Sequence, residues 1–208
     1  METAGDIPLS PGQEAALARL VYALRGPRAV AILAGAAGVG KSLVLARLAG
    51  RLVAEDIPCL GPAPAADLAD RCRDAPSGAV VLADDAQDAC SEALVRLSAA
   101  APVVLAGRGR VFTLVARDQR LLSRVLIRAV VPTFTIDDTR RVAASWLGAA
   151  APGEPPDDVV RAVHEIAAGI PASIVRLLGM ARFLSAEGRR LSVRDIEAIH
   201  RRLDIGAA

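Results

Sequence analysis

The 208-residue chain contains no asparagine, and of its 25 basic residues only Lys41 is a lysine. The absence of Asn excludes any motif built on that side chain, including the Asn-Lys-x-Asp signature by which guanine is read. Aromatic residues amount to 2%, too few to build a stacking platform for single-stranded bases. With only His164 and His200, a histidine-rich metal centre has nothing to draw on. Cys59, Cys72 and Cys90 are odd in number and fit neither a disulfide framework nor a CxxC knuckle, so they are expected to be ordinary core thiols. The longest uncharged runs, such as Ala29 to Gly40, fall short of the roughly 18 residues a bilayer span needs. The start, Met1-Glu2-Thr3, has neither the basic end nor the apolar stretch of a secretory signal, which predicts a cytoplasmic protein.

What is present is a balanced globular composition. Hydrophobic residues make up 53% and charged residues 23%, with a net charge of +2, which excludes a disordered acidic or basic chain. The length suits one core domain with a small appendage. Ser10, Pro11 and Gln13 form a capping-box start for a helix over Leu9–Leu24. Short apolar runs at Ala29–Ala34, Ala79–Ala83, Val103–Ala106 and Leu126–Val131 read as buried strands, and Ile57–Leu60 can supply another. Helical patterns at Lys41–Ala54, Ala66–Cys72, Ser91–Ala100 and Gln119–Ser123 alternate with them, whereas Gly61-Pro62-Ala63-Pro64 reads as a loop. Alternation of this kind predicts a parallel sheet between two layers of helices. After about Thr135 only helical patterns remain, at Asp137–Leu147, Pro156–Ala168, Ala172–Ala186 and Val193–Leu203. The expected organisation is an α/β body over residues 1–135 and a helical lid over 136–208, with a linker-like stretch at Ala149–Pro156.

Between the first strand and its helix lies Gly35-Ala36-Ala37-Gly38-Val39-Gly40-Lys41-Ser42, a match to G-x-x-x-x-G-K-[ST] in the required strand–loop–helix context. Glycines let successive backbone N–H groups turn inward around phosphates, and the helix start adds its positive end. The expected nucleotide-binding stretch runs from Gly35 to Leu43. Lys41 would reach the β- and γ-phosphates, and the Ser42 hydroxyl would hold Mg²⁺. Magnesium also needs a carboxylate from a neighbouring strand end. Asp84 stands there, and Asp85 beside it would polarise the attacking water. Room for a further strand between Lys41 and this acidic pair is the pattern of the ATPase branch. Together with the absent Asn, it favours ATP over GTP.

Taken in order, Leu17–Leu24, Gly35–Ser42, Val81-Leu-Ala-Asp84-Asp85-Ala86-Gln87, Val103–Gly107, Leu122–Arg128 and Gly169-Ile170-Pro171 resemble the AAA+ ATPase domain of the general secretion pathway protein A (ExeA-like) family. The related TniB-like transposition helper ATPases are similar. The resemblance spans nearly the whole chain and implies an AAA+ P-loop body with a helical lid, a Mg·ATP site and hydrolysis to ADP and phosphate. It also implies self-assembly that drives assembly or remodelling of a partner complex, and makes Asp84 the magnesium-side acid and Asp85 the catalytic acid. Arg124 is the expected finger, reaching a neighbouring subunit's γ-phosphate, with Arg128 second. Two departures stand out. The family reads Asp-Glu-Ala-Gln where this chain has Asp-Asp-Ala-Gln, and Gly-x-Pro-Arg where it has Gly169-Ile170-Pro171-Ala172. Both leave open a slow, nucleotide-gated binding switch beside a working ATPase.

Other features carry less. Arg108, at the end of the Val103 strand, is the nearest candidate for a polar sensor, and Arg176 for the missing lid arginine. Arg117, Arg120, Arg124 and Arg128 also read as a solvated stripe at near-helical spacing. Arg189-Arg190 and Arg201-Arg202 admit DNA contact, but such pairs more often end helices in solvent. Trp146 is expected in the core, and both histidines in structural or exposed roles. The protein partner and the process are not specified by these residues.

Overall fold

The structure, a computed structural model, describes residues 8–26, 29–148, 155–185 and 191–205. The N-terminal Met1-Glu2-Thr3, Pro27, most of the Ala149–Pro156 stretch, Ala186 and Arg189-Arg190 lie outside the described residues. The chain divides into two compact units, Met1–Pro132 and Thr133–Ala208.

The first unit is built on five parallel strands: β1 (Val30–Ala34), β2 (Cys59–Pro64), β3 (Val80–Asp84), β4 (Val103–Gly107) and β5 (Val125–Val130), ordered β2-β3-β4-β1-β5. Strands β1 and β4 are buried along their whole length and β3 along all but its last residue. Their side chains alternate between two apolar layers, as the two-residue strand period requires. Ala31, Leu33, Val80, Leu82, Val104 and Ala106 pack against α1 (Pro11–Ala23) and α2 (Lys41–Ala54). Val30, Ile32, Val81, Ala83, Val103 and Leu105 pack instead against α3 (Ala65–Arg71), α4 (Ser91–Ala100), α5 (Arg110–Arg117) and α6 (Gln119–Leu122). Three layers result, as the alternating pattern predicted. Each fully buried leucine of these layers contributes about 2 kcal/mol of burial free energy.

The structure departs from the sequence reading at four points. The Gly61–Pro64 loop forms the last four residues of β2, an edge strand whose register against β3 shifts between Leu60 and Ala63. Proline is tolerated there because an edge or bulged position does not require its missing N–H. Helix α5 was not foreseen; only Val111 and Val115 of it are buried. The arginine stripe is broken up: Arg117 ends α5, Arg120 lies in α6, Arg124 in the following turn and Arg128 in β5. Cys90 is exposed at the start of α4, and Cys59 is half-buried, so only Cys72 is a core thiol. At the other sheet edge, Leu126 and Val130 of β5 face solvent, and the Arg128 guanidinium lies 6.0 Å from the centre of the Phe112 ring.

The second unit holds α7 (Ile136–Gly148), α8 (Asp157–Ile166), α9 (Pro171–Ser185) and α10 (Val193–Ile205). Val159, Val163, Ile174, Leu178 and Ile196 form its core, with Trp146 packed against it. Gly169 adopts φ +66° after α8, and a Cβ there would stand 2.8 Å from the Phe134 carbonyl. Glycine is therefore required by both backbone and space. His164 is structural, its Nδ1 2.9 Å from the Thr139 hydroxyl. No helix among the described residues is long and apolar enough to cross a membrane.

Candidate functional site

The Gly35–Ser42 loop, the expected phosphate binder, leaves β1 at Gly35 and enters α2 at Lys41. Gly38 and Gly40 take φ of +78° and +96°, which L side chains rarely adopt. Gly40 caps α2 with no side-chain acceptor, so the first-turn N–H groups of Lys41, Ser42 and Leu43 are not tied down by a cap. At the other end a Cβ on Gly35 would stand 2.8 Å from Val39 Cγ2 and 2.9 Å from the Val131 carbonyl. Val39 is itself buried in the layer beneath the loop, while Ala36, Ala37 and Gly38 are exposed.

Lys41 is 9% exposed, and its Nζ donates to the carbonyls of Gly35 at 3.1 Å and Ala36 at 2.8 Å. Burial holds this ammonium below the ordinary lysine range; the charges of Asp84 and Asp85 partly offset that, and Arg108 adds to it.

Asp84 ends β3, and the Ser42 hydroxyl donates to its Oδ2 at 2.6 Å. A hydroxyl and a carboxylate thus converge from two chain segments, the hard-oxygen pair that Mg²⁺ takes. Asp84 Oδ1 accepts from the Asp85 N–H at 2.9 Å. Asp85 turns the chain out of the sheet at φ +47°, a conformation that Asp tolerates better than most side chains.

Gln87, quoted in the sequence motif without a role, joins these parts. It is 2% exposed. Its Nε2 donates to Asp85 Oδ1 at 3.0 Å and Asp88 Oδ2 at 2.7 Å, and its Oε1 accepts from the Arg108 N–H at 2.9 Å. A Cβ at Gly107 would stand 2.4 Å from that Oε1. The end of β4, where a polar sensor was sought, is therefore filled from the β3 side by Gln87.

Arg124 lies outside this group. Its Nη1 donates to Ser98 O at 2.7 Å and Ser98 Oγ at 3.2 Å, tying the turn before β5 to α4. Arg120 is engaged by Asp118 and Glu92, and Arg128 is exposed. In the second unit Arg176 is a solvent-facing residue of α9.

Gly40→Ala follows as a direct test of the loop. The added Cβ would meet Gln13 Nε2 at 2.4 Å in a backbone region hostile to alanine. The expected result is a loss of about 1–3 kcal/mol in chemical unfolding. An unchanged unfolding midpoint would contradict the loop geometry.

Strand order, the loop between β1 and α2, and the acid at the end of β3 together define an AAA+-type P-loop fold. Solved structures with this fold are similar to the chain. The Thermotoga maritima RuvB Holliday junction branch migration motor matches at 20% identity with a TM-score of 0.62, over 90% of this chain and 68% of that one. Domain III of the Thermotoga maritima replication initiation protein DnaA matches at 15% and 0.64, over 95% and 94%. The Aeropyrum pernix ORC1 protein, solved in complex with DNA, matches at 17% and 0.67, over 94% and 66%. No family model and no curated protein matches the chain.

Proposed function

We propose that this chain is an AAA+ ATPase of the ExeA-like and TniB-like kind, which binds Mg·ATP at Gly35–Leu43 and hydrolyses it to work on a partner complex. The observation that carries the reading is the convergence of Lys41, Ser42 and Asp84 on one loop inside this fold. In this reading Lys41 neutralises the β- and γ-phosphates while the loop N–H groups hold their oxygens. Ser42 and Asp84 would hold Mg²⁺, which supplies charge neutralisation to the phosphates when bound. Asp85 orients the attacking water, and Gln87 fixes the direction of the Asp85 carboxylate.

A homo-oligomer would complete the site by bringing Arg124 to a neighbour's nucleotide. To act there, Arg124 must exchange Ser98 for phosphate. Arg124→Ala is expected to leave ATP affinity within about twofold and to cut turnover by a factor on the order of 10³. Phosphate release and nucleotide titration on the same sample check it, with Ser98→Ala as the control that keeps the arginine and its bond to the Ser98 carbonyl and removes only the longer bond to Oγ. If Arg124→Ala only lowers the melting temperature and turnover per folded molecule persists, Arg124 is an anchor and Arg128 takes its place as the candidate finger.

A second reading, the nucleotide-gated switch, is favoured by one observation: Asp85 has a short side chain whose Oδ1 is already held by Gln87. DNA is the partner to test first, because similar folds occur in a Holliday junction motor and in an ORC1 protein bound to DNA. ATP-dependent, salt-sensitive DNA retention would support it.

A further inference from the structure

We infer that Gln13 is a positioning residue for nucleotide binding, the lock that holds the Val39–Gly40 peptide of the phosphate loop in one orientation. The inference rests on the nucleotide reading above and names a residue outside the loop.

Gln13 is 2% exposed, among the most buried polar side chains described. One arm does what the capping box requires: Oε1 accepts from the Ser10 N–H at 3.0 Å, while the Gln13 N–H donates to Ser10 Oγ at 3.3 Å. The other arm is not part of any cap. Its Nε2 donates to the Val39 carbonyl at 2.9 Å, across 26 residues of sequence. The same Nε2 occupies the space a Gly40 side chain would need, 2.4 Å from an ideal Cβ.

The consequence follows from peptide planarity. The Val39 C=O and the Gly40 N–H share one plane and point in opposite directions. A donor that fixes the carbonyl toward α1 therefore fixes the Gly40 N–H away from α1. Rotation of this plane changes ψ of Val39 and φ of Gly40, and glycine at 40, in a left-handed conformation, offers little steric resistance on its side. Burial of the Val39 side chain constrains the other side, and the Gln13 hydrogen bond selects among the orientations that remain. If the free loop populates the competent orientation a tenth as often, apparent affinity falls about tenfold.

The two arms can be separated by substitution. Gln13→Glu keeps an oxygen for the Ser10 N–H, and glutamate is itself a capping-box residue, but it sets a carboxylate against the Val39 carbonyl where a donor stood. Gln13→Ala removes both arms. Gln13→Met keeps the bulk without either arm, and serves should the buried carboxylate of Gln13→Glu prevent folding. The experiment titrates a fluorescent ATP analogue with magnesium into the full 208-residue wild type and the three variants, and records melting temperatures without nucleotide.

The expected result is about tenfold weaker binding by Gln13→Glu and Gln13→Met, with the nucleotide-free melting temperature of Gln13→Glu closer to wild type than that of Gln13→Ala. Wild-type affinity in Gln13→Glu and Gln13→Met overturns the inference and leaves the nucleotide reading standing. Equal loss of melting temperature in Gln13→Glu and Gln13→Ala, with affinity unchanged in the folded fraction, reduces Gln13 to a helix cap. No binding by wild type overturns the nucleotide reading and this inference with it.

Discussion

Lys41→Ala is expected to weaken ATP binding by about two orders of magnitude or more and to bring turnover down to background. Charge-assisted hydrogen bonds contribute about 1.5–3 kcal/mol each, and Lys41 is the one lysine in the chain. Its Nζ sits over the loop on the Gly35 and Ala36 carbonyls, partly desolvated, so its charge acts where screening is weak. Lys41→Arg should fail almost as badly. A planar five-donor fork does not replace a compact ammonium between two carbonyls. Fold stability should change little in Lys41→Ala, since Asp84 and Asp85 keep their contacts with Ser42 and Gln87. Isothermal titration with ATP and magnesium checks the affinity, and unfolding curves check the fold. Binding by Lys41→Ala at wild-type strength would remove the loop from the account.

The second large effect is expected at Asp85. Asp85→Asn should reduce turnover by a factor on the order of 10²–10⁴, the usual contribution of a positioned acid–base group, while ATP affinity stays near wild type. Asp85→Glu should raise turnover. The added methylene extends the carboxylate by about an ångström, and such a distance weighs heavily on alignment of attacking water. The gain is opposed by the left-handed backbone at φ +47°, which glutamate tolerates less readily than aspartate, so an increase of about tenfold is expected rather than a larger one. Gln87→Leu should mimic the loss in Asp85→Asn, because it frees the Asp85 carboxylate and leaves the Arg108 N–H without its acceptor. Single-turnover phosphate release separates these effects from binding. Equal turnover in wild type and Asp85→Asn would assign water activation elsewhere and favour the switch reading.

The parts legible in the sequence were those set by local chemistry. Helices α2 and α4 begin and end where their patterns do, and the Ser10–Gln13 capping box forms as its spacing indicates. The Gly35–Gly40 segment lies between strand and helix, as its glycines and its apolar flanks indicate. Strand β2 was legible only at Cys59 and Leu60, where Ile57–Leu60 could supply a strand; its remainder was hidden because Gly61, Pro62 and Pro64 carry turn chemistry, and only the sheet edge makes them tolerable in a strand. Helix α5 was hidden because so little of it is buried. At the site, the second arm of Gln13 and the bridge made by Gln87 link residues 26 and 21 apart. No spacing rule reaches that far, since the topology of the sheet decides which segments meet. The same holds for Arg124, a turn residue whose partner Ser98 is on α4.

Steady-state ATP turnover with magnesium, measured across a wide range of protein concentration with Lys41→Ala as the blank, bears most directly on the central claim. Turnover above the blank that climbs per subunit with concentration is the predicted result, since on the proposal a neighbour completes the site. Turnover indistinguishable from Lys41→Ala at every concentration would contradict the account of this chain as an ATP-hydrolysing assembly.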